Sequence, residues 1–499
     1  MADLLKLQNG SDIRGVAVEG VEGENVNLTP EIAKQIGCAY VSWLEKKTGT
    51  NPAEMTIGVG RDSRISGEAL AEGLTYGILS AGAHVKDCGL ATTPAMFMSL
   101  VFSETLFDGA AMITASHLPY NRNGIKFFDS DGGLEHEDIT EILTLAGLLN
   151  PVRVNYFADK VDLLSIYADY LKNKIKSALD DGESPLKNLH IVVDSGNGAS
   201  GFFVDKILKP LGADTTGSQF LEPDGMFPNH IPNPENKEAM KAIQDAVLNN
   251  HADLGLIFDT DVDRMSAVLS DGQEVNRDSI IAMIAAILAP EYPGSTIITD
   301  SVTSDRLTYF LQDVLGLKHL CYMRGYKNVI NKQKELNAKG IVAPLAMETS
   351  GHGALKDNYY LDDGAFLAVK LIIALAKASK EGKKLDSLIE KLPPLVEEGE
   401  YRFKISGEDF KAYGQTVLQE FKKRAEAAGY TMPQSYEGVR LSFKNQDVQG
   451  WILLRMSLHD PVMPLNLEGS RKGDLEKLKK IAADLTEGFD RLDRSSLLK

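Results

Sequence analysis

Short β-branched runs alternate along the chain with longer stretches whose apolar positions recur every three or four residues, the marks of strands and amphipathic helices taken in turn. The first helical stretch opens at Thr29-Pro30-Glu31, which supplies a cap, a first-turn proline and an acidic first turn. It puts Ile32, Ile36, Ala39, Tyr40, Trp43 and Leu44 on one face. A strand from Met55 to Gly60, a polar loop, a helix from Ala69 to Leu79, a short strand near Val85 and a strand from Ala110 to Thr114 follow. This βαβ order recurs twice: strand Ile191 to Asp194, helix Phe202 to Leu208, strand Leu254 to Asp259; then strand Thr296 to Asp300, helix Asp305 to Val314, strand Ile341 to Met347. Three α/β modules are expected. Near Lys391-Leu392-Pro393-Pro394 the pattern breaks, and beyond acidic Glu397-Glu398-Gly399-Glu400 a smaller α+β module is expected. It holds a helix from Phe410 to Ala428, strands around Val439 to Phe443 and Gly450 to Ser457, and a last helix from Leu475 to Phe489. The expected division is 1–155, 156–275, 276–390 and 391–499.

The 499 residues are enough for several domains, each with its own core, and 43% hydrophobic with 25% charged is ordinary globular composition. A formal net charge of −17 argues against a nucleic-acid or anionic-membrane binder, since those partners select excess Lys and Arg. Positive charge for an anionic substrate must then be local. Cys38, Cys88 and Cys321 have neither disulfide nor zinc spacing and read as structural thiols. No secretory signal opens the sequence, and the longest apolar stretch, Ile280 to Pro290, is about half of what spans a bilayer. A cytoplasmic protein is expected.

Four loops carry candidate chemistry, each after an apolar strand. Thr114-Ala115-Ser116-His117-Leu118-Pro119, with Asn121 to Lys126 beyond, lies at a strand's carboxyl edge, where α/β sheets collect ligands and a serine is exposed and addressable. Ser116 beside His117 is no hydrolase triad, because neighbours on a turn rarely point at one another and no nucleophile elbow is present. Asp259-Thr260-Asp261-Val262-Asp263-Arg264 alternates carboxylates that can converge on a hard divalent cation such as Mg²⁺. An EF-hand is excluded by Arg264 and Ser270 where Gly and Glu are needed. A phosphatase with an aspartate nucleophile could open in the same way, but a third aspartate followed by arginine suits a metal site with a phosphate clamp better. Glu348, Ser350 and His352 offer groups for sugar hydroxyls, and Arg455 with Ser457 suits an anion nest. Taken alone, the Glu348 loop reads more plainly as a polar surface turn, a capped turn competes evenly for the Ser116 loop and also competes for the Arg455 loop, and a bland acidic turn is the weaker reading of the Asp259 loop.

Taken together and in order, these loops resemble the α-D-phosphohexomutase superfamily of phosphomannomutases and phosphoglucomutases. The resemblance runs end to end and includes Asp12-Ile13-Arg14-Gly15, Gly60-Arg61-Asp62-Ser63-Arg64 and Gly325 with Lys327. It implies an α/β fold of three similar domains with mixed sheets, plus a smaller C-terminal α+β domain, around a central cleft. It also implies an isomerase that interconverts hexose 1-phosphate and hexose 6-phosphate, of mannose, glucose or both. Ser116 is then carried as a phosphoserine and a hexose 1,6-bisphosphate is the intermediate and activator. By the same resemblance Asp259, Asp261 and Asp263 hold one Mg²⁺ with a phosphoserine oxygen. Lys126, His117 and Arg14 do acid/base work or support it, and Arg264 braces the phosphoserine. Lys327, Arg455 and Ser457 grip the other phosphate, and Glu348 and Ser350 read the sugar's 3- and 4-hydroxyls. The expected partner is a small-molecule hexose phosphate, with no nucleic acid or membrane, on a monomer or homodimer.

The chain departs from the family pattern at Leu118, Thr260, Val262 and Arg324, and at Leu458 and His459 in the phosphate loop, where a protonated His459 could compensate. The nucleophile, the aspartates and the main arginine are intact. The Ser-Gly-His ending at His352 resembles mannose-acting and dual-specificity members. An aminosugar phosphate mutase and a catalytically idle sugar-phosphate binder remain as alternatives.

Overall fold

The computed structural model describes residues 4–457 and 460–498. Two compact units are present: residues 1–276 with 350–387, and 277–349 with 388–499.

The first unit is built on two mixed sheets. In the larger, Thr56–Arg61 runs parallel to His84–Leu90 and Gly109–Ile113, which pairs antiparallel with Arg122–Asp129, itself antiparallel to Asp12–Val16. Helix Pro30–Thr48 forms where the sequence expects it, with Thr29 Oγ1 accepting the Ile32 amide (3.3 Å) and Gly49 ending it at φ 75°. Its buried face, Ile36, Tyr40 and Leu44, packs with Leu74, Ile57, Ile113 and Phe127 in one core. Truncating one of those isoleucines to alanine would cost about 2–5 kcal/mol. In the smaller sheet, Leu254–Phe258 lies between parallel Ile191–Asp194 and antiparallel Met265–Leu269. The hairpin Gly353–Leu355 and Leu361–Asp362 and helix Gly364–Lys380 complete the unit.

The second unit holds parallel strands Lys318–Cys321, Thr296–Thr299 and Leu345–Met347, and an antiparallel sheet of Val439–Lys444, Gln449–Leu454, Val462–Gly469 and Glu397–Ile405. Phe403, Phe421, Leu465 and Leu478 form the core between that sheet and helices Phe410–Ala427 and Asp474–Leu485. The α/β fold class with a final α+β part is as expected.

Several local expectations change. The segment Asn121 to Lys126, expected as loop, enters strand Arg122–Asp129, which puts Lys126 on a sheet. The helix expected at Phe202 to Leu208 is a π-helical turn, Phe203–Leu208, and the one at Asp305 to Val314 is α-helix only to Tyr309 before a π-turn. The strand expected at Ile341 to Met347 is confined to Leu345–Met347. Strand Val462–Gly469 follows a Pro461 and contains Pro464, which hides it from a propensity reading.

Candidate active site

In the first unit, the fully buried strand Gly109–Ile113 delivers Thr114 and Ser116 at its carboxyl end. Ser116 has φ 49°, the left-handed region that non-glycine residues seldom adopt, and its amide donates to Thr114 Oγ1 (2.9 Å). Arg64 staples this turn. Its buried guanidinium donates to the carbonyls of Ser116, Leu118 (2.6 Å), Pro119 (2.8 Å) and Arg122 (3.0 Å). Asp62 balances that charge at 3.3 Å and accepts the Thr114 hydroxyl at 2.7 Å. The turn is therefore held by buried hydrogen bonds, each costly to leave unmade.

Two sequence expectations about Ser116 are corrected here. The serine is buried, at 8% exposure, because its loop folds back under Arg64. It also does face its neighbour: the left-handed turn brings Oγ to 3.3 Å from His117 Nδ1. No triad results, since Nδ1 also takes an N–H from Arg264 Nη2 (2.7 Å), and a guanidinium can only donate. Burial first, then Arg264 and Arg14, pushes His117 down to about 3, so the ring is neutral.

Strand Leu254–Phe258 ends in the aspartate loop, which turns through Val262 (φ 67°) and returns as Met265–Leu269. Two glycines frame it. A Cβ on Gly198 would lie 2.8 Å from Thr260 Cα and O, and one on Gly364 2.6 Å from the Arg264 carbonyl. The Gly364 amide also donates to the Val262 carbonyl (3.0 Å). Side chains at either glycine would displace the loop.

Ser116 Oγ donates to Asp259 Oδ2 at 2.9 Å, and Arg264 Nη2 reaches the same hydroxyl at 3.3 Å. Arg264 also gives Nε to Asp259 Oδ2 (3.0 Å) and its amide to Asp259 Oδ1 (3.2 Å). Asp259, Asp261 and Asp263 are buried, with one oxygen of each inside a 4.8 Å span. Lys126 Nζ meets Asp263 Oδ2 at 2.5 Å and Asp261 Oδ2 at 3.2 Å, and Thr93 Oγ1 meets Asp261 Oδ2 at 2.5 Å. Asp261 Oδ1 and Asp263 Oδ1 are buried without a hydrogen-bond donor. Bare buried carboxylate oxygens in an all-oxygen cluster fit a hard divalent cation.

Lys126 is not a desolvated lysine with a lowered pKa. Burial alone does disfavour its ammonium, but Asp261, Asp263 and Asp12 outweigh burial and hold it well above its usual value. Carboxylates, not cations, are its main neighbours. Conversely, burial would raise Asp263, yet the Lys126 ammonium keeps its carboxyl below the usual range. Asp259, more weakly compensated, is pushed well up by burial and then by Asp263. Arg14, on strand Asp12–Val16, pairs with Asp12 (2.9 Å) and donates to the Thr114 carbonyl at the root of the serine turn. His352 pairs through Nδ1 with Ser350 Oγ (2.9 Å) and turns Nε2 to 3.6 Å from Asp263 Oδ1. Burial first, against Asp263 and with help from Arg264, holds this ring down at about 3.

The remaining predicted residues fall in the second unit. Glu348 is buried and accepts the Gly325 amide at 2.7 Å, and Gly325 (φ 112°) opens helix Tyr326–Ala338 with Lys327 in its first turn. Arg455, just after strand Gln449–Leu454, is buried with Nη1 at 3.3 Å from Glu437 Oε1. Glu437 Oε2 in turn accepts from Ser301 Oγ (2.7 Å) and the Arg324 amide (2.9 Å). Arg455 Nε is buried without an acceptor, a donor suited to an oxyanion. Ser457 Oγ accepts the Asp460 amide (3.3 Å). His459 and Leu458 lie outside the described residues. Sequence reasoning missed Thr93, Arg64 as a staple, and Glu437. Arg64 sat in a quoted motif and Thr93 in a Thr-Pro pair, but nothing around Glu437 marks it.

Residues 5–146, 165–272 and 276–396 match the phosphoglucomutase/phosphomannomutase α/β/α domains I, II and III, respectively. A phosphomannomutase/phosphoglucomutase of Pseudomonas syringae pv. tomato is 30% identical over 492 residues, 96% of each chain. A phosphoglucosamine mutase of Natranaerobius thermophilus is 30% identical over 494 residues, 97% of this chain and 98% of that one. The crystal structure of a phosphoglucomutase/phosphomannomutase family protein from Burkholderia thailandensis superposes with a TM-score of 0.77 at 25% identity, covering 96% of this chain and 97% of that chain. Among the described residues no helix is long and apolar enough to cross a membrane. With near-complete coverage at this identity, and with a serine hydroxyl hydrogen-bonded to a buried triple-aspartate loop, the chain belongs to the phosphoglucomutase/phosphomannomutase family.

Proposed function

We propose that the protein is a phosphohexomutase, an isomerase that interconverts the 1- and 6-phosphates of glucose and mannose through a phosphoserine at Ser116 and a hexose 1,6-bisphosphate. The observation that carries this reading is the Ser116 hydroxyl 2.9 Å from Asp259, with Arg264 on the same oxygen. The reading assigns the phosphoserine loop to 1–155, the metal loop to 156–275, the sugar loop to 276–390 and the phosphate loop to 391–499. In the first half-reaction the bond between phosphorus and Ser116 Oγ breaks as one to a sugar hydroxyl forms, and that hydroxyl gives up its proton. Return to Ser116 from the other position of the bisphosphate reverses these events, so no phosphate is lost to water. Arg264 would brace the serine oxygen throughout, and Lys126, His117 and Arg14 would manage the proton and its electrostatics. Mg²⁺ held by Asp259, Asp261, Asp263 and a phosphoserine oxygen would polarise the phosphoryl group and neutralise its charge. Glu348, Ser350 and His352 would read the sugar, and Lys327, Arg455, Ser457 and His459 the distal phosphate. The reading is of a cytoplasmic enzyme, monomer or homodimer, acting on small molecules.

The test is a coupled assay of glucose 1-phosphate, mannose 1-phosphate and glucosamine phosphate, with Mg²⁺ and a trace of bisphosphate primer. Turnover of the first two, with one phosphate on the intact mass that Ser116→Ala removes, is the expected result. Failure with all three sugars overturns the proposal. The Natranaerobius relative favours a second reading, aminosugar phosphate isomerisation, which would appear as preference for glucosamine phosphate.

A further inference from the structure

The three aspartates of the loop differ in what occupies their oxygens. Asp259 is engaged on both: Oδ1 takes the Arg264 amide, and Oδ2 takes Arg264 Nε and the Ser116 hydroxyl. Asp261 has Oδ2 engaged, by Lys126 Nζ and Thr93 Oγ1, while buried Oδ1 receives no hydrogen bond. Lys126 is shared with Asp263, to which it lies closer, 2.5 Å against 3.2 Å. Thr93 is not shared in this way. Its hydroxyl meets Asp261 Oδ2 at 2.5 Å and its amide donates to the Asp261 carbonyl at 2.9 Å, so one residue grips both the side chain and the main chain of the aspartate. Thr93 is itself fixed: it is buried, begins helix Thr93–Met98 and is followed by Pro94, and Thr92 Oγ1 caps that helix by accepting the Ala95 amide (3.2 Å).

We infer that Thr93 is a positioning residue for the divalent cation: it saturates Asp261 Oδ2 and locks the carboxylate so that Oδ1 is the oxygen presented to the ion. This rests on the reading of the aspartate loop as the metal site. A carboxylate clamped on one oxygen loses little rotational freedom on binding a cation through the other, and hydrogen bonds behind metal ligands commonly carry about 10–100-fold in affinity. Thr93 also reaches the metal loop from the same α/β module as Ser116, so the clamp ties the aspartates to the serine's own scaffold at a second place.

The experiment uses the full chain and Mn²⁺ as an electron-paramagnetic-resonance reporter, titrated into wild type, Thr93→Val, Thr93→Ser and Asp261→Asn, with melting of each metal-free protein alongside. Thr93→Val keeps the shape and the backbone amide but removes the hydroxyl. It is expected to bind Mn²⁺ at least about tenfold more weakly, with Thr93→Ser restoring affinity to within about twofold of wild type. A purely structural threonine would shift metal-free melting without separating the Val and Ser variants in affinity. Thr93→Val binding like wild type while Asp261→Asn loses the ion overturns the inference, as does an equal loss in Thr93→Ser. Asp261→Asn binding as tightly as wild type overturns instead the metal reading beneath it.

Discussion

The serine–aspartate region of the first unit and the arginine–glutamate region of the second hold their charges in different ways. Around Ser116, hydroxyl and carboxylate groups sit at the ends of buried strands, and the groups that orient them include backbone carbonyls, backbone amides and an arginine with no exposed surface. Around Arg455, among the described residues, the cation meets the Glu437 carboxylate at 3.3 Å and the Met456 carbonyl at 3.5 Å, and Glu437 also serves Ser301 and the Arg324 amide. A backbone staple cannot be exchanged for a ligand, whereas a carboxylate on an arginine occupies the place an anion would take. The first arrangement suits a transfer that must repeat in one geometry. The second suits binding and release.

Variants that break the first region should have the larger effects. Ser116→Ala is expected to remove the phosphate from the intact mass and lower turnover by about 10⁴-fold or more in the coupled assay. Arg64→Met next strands Asp62 and leaves several buried carbonyls without a donor. Breaking a buried pair of this kind costs roughly 3–5 kcal/mol, read as a lower melting temperature. In the second region, Arg455→Ala should raise KM for the hexose phosphate with kcat little changed, a loss of about 1.5–3 kcal/mol of charge-assisted binding that steady-state kinetics will separate. Equal losses in kcat and KM would dissolve the distinction between the two regions.

The smallest effect concerns pH and Glu468 in the second unit, which accepts the Ser304 hydroxyl at 2.5 Å. Burial, opposed by that hydroxyl and by Arg306 and assisted by Asp278 and Asp305, raises it from 4.5 to about 7. The folded chain thus keeps a proton that the unfolded chain releases near 4.5. Stability from this group is complete below that pH and is lost as pH rises through about 7. Melting should fall by roughly 2–4 °C across this window relative to Glu468→Gln, in which that dependence is absent.

Legibility in the sequence followed locality. Helix Pro30–Thr48 was readable from its cap and period because those signals lie inside the helix. The Ser116 and Asp259 loops were readable because their residue types are adjacent and follow apolar strands. Lys126 as a strand residue was not, since Asn121 to Gly124 carry turn chemistry that hides the start of a strand pairing Lys126 with Met112. Strand Val462–Gly469 was hidden by its prolines. Glu437 and Thr93 were invisible because their significance rests wholly on partners 18 to 168 residues distant.

From sequence alone came the alternating modules, the acidic balance, the four loops and the residue types able to carry phosphate and metal, all of which depend on neighbours in the chain. Tertiary structure decided the protonation of Lys126, the neutrality of His117, the burial of Ser116 and the clamp on Asp261. Those properties are set by which charges and donors meet across the fold in a low-dielectric interior, where a few ångströms outweigh the intrinsic preference of any side chain.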